Sequence, residues 1–524
     1  MIIKSPYPDV DIPEVALHQF VLQTAAERGS KPAIIEAPTG RTITYSELVD
    51  SIRRVAVNLS QRGFKKGDVF AVLSPNVPEY AIAFFGISSV GGIVTTINPS
   101  YTEHEIAHQL KDSKARFLLT MPGCLEKATP AARAANIEEI FVFGDSEGVT
   151  PFASLLVENS ATLPAIEINA KKDLVALPYS SGTTGSCKGV MLTHHNLVSN
   201  LRQMEALNFF GETDTLVCVL PLFHIYGLSV IMNCGLFQGA TMVMLPRFEL
   251  EAFLKAVQDY EVTIAHLVPP VVLTLSKHPS VDSYKLPRLK TIFSGAAPLG
   301  AELTRACMDR LGCNIRQGYG MTETSPVTHS SPTCDEDVKL GSVGVVAPNT
   351  ECKILDLETG ESLGPLKDGE VCVRGPQIMK GYLNNPEATA STIDPDGWLH
   401  TGDIGHVDDE GNFFIVDRLK ELIKYKGFQV PPAELEAVLL SNPSVADAAV
   451  IPYPDDECGE VPKAFVTLKG QISEEEVMNF VAARVSTYKR IRYVEFVEQI
   501  PKSPSGKILR RLLVEKDRAN RSQQ

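Results

Sequence analysis

The sequence contains no C-x-x-C pair, and its 10 cysteines are scattered between Cys124 and Cys458 with no histidine cluster beside them. That spacing excludes a ribbon-type zinc site and a disulfide-stapled scaffold; it suits small buried hydrophobes in a reducing compartment. Cations are in deficit, with 49 Lys and Arg against 63 Asp and Glu and a net charge of −14. A chain so short of positive charge is not built to meet nucleic-acid phosphates or anionic membrane surfaces. No internal repeat or low-complexity tract occurs. The opening residues are broken by prolines and acids and lack the apolar run of a signal peptide, and the final NRSQQ holds no address or lipidation box. These absences lead to the expectation of a cytoplasmic protein; a monomer is expected separately.

Two stretches lack charge altogether. Residues 216–246 contain no Asp, Glu, Lys or Arg, but Pro221, His224, Asn233, Gln238 and several glycines interrupt them. Such interruptions suit buried strands and helices joined by turns, not a membrane span. Residues 81–97, with Gly86, Gly91 and Gly92, read the same way. What is present is ample apolar material: 44% of 524 residues are hydrophobic and 21% charged. That length exceeds what one core usually organises, so at least two domains are expected.

Helix-like and strand-like patterns alternate through the first four hundred or so residues. Residues 45–59 have helical apolar spacing and are followed by the strand-like 69–75; similar alternation recurs over 103–119 and 250–267. This is the pattern of an α/β domain with largely parallel sheets. From about Ser342 short apolar runs separated by turn residues predict an antiparallel β subdomain reaching Asp417. Beyond it, helix patterns at 432–440 and 473–485 and strand patterns at 445–451, 464–468 and 493–497 predict a small α+β domain over 418–524, with Ser473 as an N-cap. The expected division is 1–417 and 418–524, with a hinge at 418–420.

The strongest chemical signal follows the apolar strand at 174–177. It is the run Tyr179-Ser180-Ser181-Gly182-Thr183-Thr184-Gly185-Ser186-Cys187-Lys188-Gly189. Glycines let backbone N–H groups converge on an anion, hydroxyls add donors and Lys188 adds charge. The run is not G-x-x-x-x-G-K-[ST], because Cys187 precedes the lysine and Gly189 follows it. Plain solvent-exposed loops have similar composition, so both readings stand on composition alone. A second motif is Gln317-Gly318-Tyr319-Gly320-Met321-Thr322-Glu323. Its glycines imply close backbone approach to a ligand, its tyrosine a stacking surface and its glutamate a hard oxygen ligand for Mg²⁺; a turn with a solvated glutamate is the plainer alternative. Trp398 to Asp403 (WLHTGD), Asp417 to Gln429 (DRLKELIKYKGFQ) and Pro504 to Lys507 (PSGK) follow in order. Trp398, the only tryptophan, reads as core.

Together these motifs resemble the adenylate-forming enzymes, which include acyl-CoA synthetases, beetle luciferases and peptide-synthetase adenylation domains. The resemblance spans essentially the whole chain. It departs at Cys187, where the family usually has proline, a change that loosens the loop without removing a phosphate donor. The resemblance implies ATP, Mg²⁺ and coenzyme A as cofactors and co-substrates. It places Ser180, Ser181, Gly182, Thr183, Thr184 and Lys188 on phosphate, Gln317, Gly318 and Tyr319 around adenine, Thr322 on the AMP phosphate and Glu323 on Mg²⁺. Asp403 and Arg418 would hold the ribose, Lys420 would be the pivot, and Lys424 and Gln429 would lie near the acyl-adenylate. Lys426 and Gly427 would line the thiol channel, and Lys507 would be the mobile catalytic lysine.

Within that family the pattern is most similar to 4-coumarate–CoA ligases, notably Pro221 to Leu228 (PLFHIYGL) and Phe293 to Pro298 (FSGAAP). By this resemblance Tyr226 contacts a ring hydroxyl, Val230, Ala296, Gly318, Pro326 and Val327 line the ring slot, His224 is a gate and Arg247 serves coenzyme A phosphate. Val230 stands where those ligases often have serine, and Thr324-Ser325 replaces their smaller Ala-Gly. The expected activity is therefore hydroxycinnamate–CoA ligation. The alternatives are medium- or long-chain fatty acyl-CoA synthesis and a luciferase-like oxygenase.

Overall fold

The computed structural model describes residues 1–180, 187–426, 428–455, 457–503 and 506–522. The expectations for Ser181, Gly182, Thr183, Thr184 and Gly427, and for the side chain of Gln429, fall outside these described residues. Among the described residues the strands gather into four sheets, two of nine strands and two of five.

The first large sheet is parallel at its centre, where Val69–Leu73 lies between Ile93–Ile97 and Ala115–Thr120. At one edge Lys188–Thr193 turns antiparallel against Leu174–Ala176 and carries both Tyr179–Ser180 and Gly381–Tyr382. The second large sheet sets Thr215–Cys218 between Thr241–Met244 and Ile264–Leu267, followed by Thr291–Ser294 and Asn314–Gly320, all parallel. Val327–Ser330 then closes back antiparallel on Asn314–Gly320. The expectation of α/β architecture is borne out.

One helix shows why the sheets pack as they do. Glu79–Ser89 (EYAIAFFGISS) buries every residue from Tyr80 to Ser88, as a helix apolar on all sides must within a large core. Helix Tyr45–Gln61 is amphipathic instead, and its N-terminus is closed by a reciprocal capping box between Thr44 and Glu47. Gly86 lets these two helices approach: a Cβ there would lie 2.5 Å from Val55 Cγ1. The uncharged stretch 216–246 resolves into strand Thr215–Cys218, a π-helix at Tyr226–Asn233, helix Cys234–Gln238 and strand Thr241–Met244. Among the described residues no helix is long and apolar enough to cross a membrane.

The third sheet joins Glu351–Leu355, Gly369–Arg374, Leu399–Val407 and Phe413–Arg418. Its far edge is Ile3–Lys4 from the chain's start, a strand the sequence did not suggest. Trp398 is buried there, with Lys353 Nζ 4.4 Å and Arg374 Cζ 4.5 Å from its ring centre. The fourth sheet combines Ile423–Tyr425, Phe428–Val430, Val445–Asp455, Gly459–Leu468 and Tyr493–Phe496 and has its own apolar cluster. Ser473 caps helix Glu474–Ala482 in a capping box with Glu476.

Candidate active site

The carboxyl ends of the second large sheet open onto a cavity, the usual place for a ligand in a parallel α/β sheet. It encloses about 520 Å³, part of it open to solvent, and its walls include Tyr226, Val230, Ala296, Gly318, Pro326 and Val327. All six residues proposed for the acid therefore meet at one place. The π-helix supplies Tyr226 and Val230, and the wide turn of such a helix is a recurrent feature of functional sites. Gly227 makes its start feasible, because a Cβ there would sit 2.3 Å from Pro221 O.

His224 and Tyr319 also line the cavity, as do Phe209, His266 and Phe293, to which the sequence reading gave no role. Phe209 and Phe293 stack at 4.8 Å, and Phe293 stacks on His266 at 5.1 Å with 13° between planes. The Tyr226 hydroxyl lies 3.3 Å from both the Phe293 carbonyl oxygen and His266 Nδ1. No motif marks His266, which sits mid-strand in an apolar run; its only signal was a polar ring where the strand pattern calls for an apolar one.

Beside this cavity, Glu323 is buried with Oε1 accepting from Ser180 Oγ at 2.8 Å and from the Tyr382 hydroxyl at 2.9 Å. Lys188 Nζ stands 4.7 Å above the centre of the Tyr382 ring. The glycine-rich hairpin and the tyrosine–glutamate motif are thus brought together through Tyr382, another residue the sequence reading missed. Among the described residues, Glu323 Oε2 takes no hydrogen bond. A buried carboxylate with one oxygen anchored by hydroxyls fits a hard divalent cation such as Mg²⁺. Half-buried Thr322 opens the short turn Thr322–Thr324 that carries Glu323. Cys187 Sγ lies 3.5 Å from the Tyr101 hydroxyl.

Asp403 is buried and both of its oxygens are engaged. Oδ2 accepts from the Tyr319 hydroxyl at 2.6 Å, and Oδ1 lies 3.1 Å from Arg418 Nε. Burial raises the Asp403 pKa, against the opposing pull of Arg418 and the Tyr319 hydrogen bond. Gln317 uses its amide on the Leu299 backbone, accepting at 3.2 Å and donating at 3.1 Å, and so shapes the loop that presents Ala296.

Lys507 reaches the same region from the far end of the chain. Its turn is closed by the Gly506 N–H donating to Ser503 O and by the Ser503 N–H donating to Lys507 O, both at 2.8 Å. Gly506 packs so closely on the large lobe that a Cβ would lie 2.9 Å from Val268 Cγ2. Burial first, and then repulsion from Arg418, lowers the Lys507 pKa to about 8. Burial, followed by the nearby Lys507 charge, lowers that of His224 to about 4. Both ionisations are shifted as expected in a crowded, water-poor cleft.

The remaining candidates stand apart from this cleft. Lys420, Lys424 and Lys426 are exposed; Lys424 donates its backbone N–H to Glu460, and Lys426 donates its own to Cys458 O. Backbone Gln429 pairs with Lys424 across the hairpin. Arg247 is exposed and bound to Glu249 two residues away, with Nε 2.6 Å from Oε1.

Ser180, the buried Glu323 and Asp403, and Lys507 from the far end of the chain gather beside an apolar cavity, a grouping that suits an acid-activating enzyme. The chain belongs to the AMP-binding enzyme family, which matches residues 21–383, and the family's C-terminal domain matches 434–507. It is similar over nearly its whole length to 4-coumarate–CoA ligases. The identity is 46% with 4-coumarate–CoA ligase 1 of Petroselinum crispum, covering 98% of this chain and 96% of that protein. It is 47% with the enzyme of Pinus taeda, covering 97% and 96%. Among solved structures, an anthranilate CoA ligase in complex with anthranoyl-AMP superposes with a TM-score of 0.91 at 26% identity, covering 98% and 99% of the two chains. ATP-bound MatB from Rhodopseudomonas palustris gives 0.85 at 30%, covering 96% and 99%. The resemblance read from the motifs is borne out.

Proposed function

We propose that the protein joins a 4-hydroxycinnamate-type acid to coenzyme A in two half-reactions, through an acyl-adenylate. The observation that carries this reading is the contiguity of an aromatic, tyrosine-ended acid cavity with the Ser180–Glu323–Tyr382 and Tyr319–Asp403–Arg418 groups. The carboxylate attacks the α-phosphorus of ATP, pyrophosphate leaves, and a mixed anhydride with AMP remains. Two anions must approach, so positive charge and oriented donors at the α-phosphate lower the barrier. Lys507 supplies that charge, the hairpin 180–188 orients the phosphates, and Asp403 with Arg418 holds the sugar hydroxyls. Mg²⁺ held at Glu323 would neutralise phosphate charge.

In the second half-reaction the sulfur of coenzyme A attacks the acyl carbon and AMP leaves. The small lobe has two faces for these two tasks. The Lys507 turn is packed on Val268 and Pro270, while Lys424 and Lys426 stand exposed. Rotation of the lobe about 418–420 withdraws the first and brings in the second, one hinge gating both steps. Purified protein assayed with ATP, Mg²⁺ and coenzyme A against a panel of acids tests the reading: thioester from 4-coumarate and caffeate supports it. Turnover of octanoate with none of the cinnamates overturns it in favour of a fatty acyl-CoA synthetase.

A further inference from the structure

Asp417 lies near the end of strand Phe413–Arg418 and pairs there with Ile404, so it is anchored in the third sheet, on the large-lobe side of the expected hinge. Its buried carboxylate reaches across that hinge. Oδ2 accepts from the Ala433 N–H at 2.8 Å, and Oδ1 accepts from the Arg418 N–H at 2.7 Å. Ala433 stands in the first turn of the small-lobe helix Pro432–Leu440. That helix has no side-chain cap of its own, because Pro431 fills the cap position, and Pro432 has no N–H to bond. Ala433 therefore offers the first free N–H of the helix, at the end where backbone dipoles favour negative charge. The acceptor comes from the other lobe. Arg510 donates to Glu421 and to both oxygens of Glu436, at 2.8 and 2.7 Å, and brings positive charge toward Asp417. Burial raises the Asp417 pKa to about 7, with Arg510 and the two N–H groups opposing the rise and Glu436 adding to it. Arg510 follows Lys507 by three residues, so the groups that meet Asp417 belong to the same lobe as the Lys507 turn.

We propose that Asp417 is a positioning residue for acyl-adenylate formation: by capping the small-lobe helix across the hinge, it holds the lobe in the orientation that seats the Lys507 turn on Val268 and Pro270. The proposal rests on the two-orientation reading above and deepens it by naming a bond that belongs to one orientation. A hydrogen bond is short and directional. Turning the lobe about 418–420 redirects Ala433 and Arg510 while Asp417 stays in its sheet, so the bond is given up when the lobe turns to admit coenzyme A.

The test measures two rates on one preparation of the full-length enzyme: pyrophosphate release from ATP with the best acid of the panel, and thioester formation from the corresponding acyl-adenylate supplied with coenzyme A. Each orientation serves one rate, so their ratio follows the equilibrium between orientations, and partial loss of folded protein cancels in it. Asp417→Ala is expected to lower the ratio of pyrophosphate release to thioester formation about tenfold, as loss of a hydrogen bond to a charged group warrants. Asp417→Asn keeps an acceptor oxygen for Ala433 without the charge and should lower the ratio less, by about threefold. A merely structural role would depress both rates together. An unchanged ratio in Asp417→Ala therefore overturns the proposal and leaves the two-step reading intact. If that variant does not fold, Asp417→Asn decides in the same way. A wild type that releases pyrophosphate with no acid of the panel overturns the two-step reading, and the proposal with it.

Discussion

Arg418 and Asp403 face each other directly across adjacent antiparallel strands, and Arg418 Nε lies 3.1 Å from Asp403 Oδ1. The pair joins the sheet of the large lobe to the first residue of the expected hinge. Asp403→Asn removes the charge that holds Arg418 and leaves one acceptor for two donors, Arg418 and the Tyr319 hydroxyl. AMP affinity, read by calorimetry, is expected to fall by about tenfold or more, as hydrogen bonds to charged groups warrant.

Lys507→Ala is expected to slow pyrophosphate release by about 10²–10³-fold, the usual loss when one charge-stabilising donor is removed. Thioester formation from supplied acyl-adenylate should persist; equal loss of both half-reactions would contradict the assignment. The wild-type pH profile carries a second expectation. With a folded-state pKa of about 8, Lys507 is a cation only below that value. The kcat/KM for pyrophosphate release should therefore decline as pH rises through about 8. Stability moves the other way: between about 8 and the ordinary lysine value the unfolded chain binds more protons, so this group makes stability rise with pH in that window.

Lys426→Glu should leave pyrophosphate release within about twofold of wild type, since the side chain is exposed. Thioester formation should fall and the KM for coenzyme A rise, because a carboxylate would then face an anionic co-substrate. A loss confined to pyrophosphate release would refute the two-face account of the small lobe.

Glu323→Gln keeps an acceptor for Ser180 and Tyr382 but halves the hard-oxygen character of the site. The Mg²⁺ concentration giving half-maximal pyrophosphate release should rise severalfold, with little change in melting temperature. An unaltered Mg²⁺ dependence would remove Glu323 from the metal's surroundings.

Gly227→Ala addresses the π-helix. With Pro221 O 2.3 Å from the added Cβ, backbone must shift, and overpacking of this kind typically costs about 1–3 kcal/mol. Both melting temperature and affinity for the acid should drop; an unchanged protein would mean the π-helix start has slack.

The groups gathered around Glu323 and Asp403 were legible as motifs because they lie in short contiguous runs whose chemistry is local, such as Gln317 to Glu323. The acid cavity was less so. Its walls come from 209, the π-helix, 266, 293–296 and 318–327, and only the folded sheet brings them to one end. Apolar periodicity marks residues 226–233 as buried but cannot distinguish a π-helix from an α-helix or a strand. Tyr382 was missed for a related reason: its partners Glu323 and Lys188 are 59 residues away and on another strand, respectively.

Gly506, seated on Val268 and Pro270, has space for a bare backbone and nothing more. In the proposed two-orientation cycle, a methyl group at that seat would act as a doorstop, holding the lobe ajar in the orientation described here while leaving the other unhindered. The closure of the small lobe in that cycle would then pass through a position that contributes no side-chain atom to it.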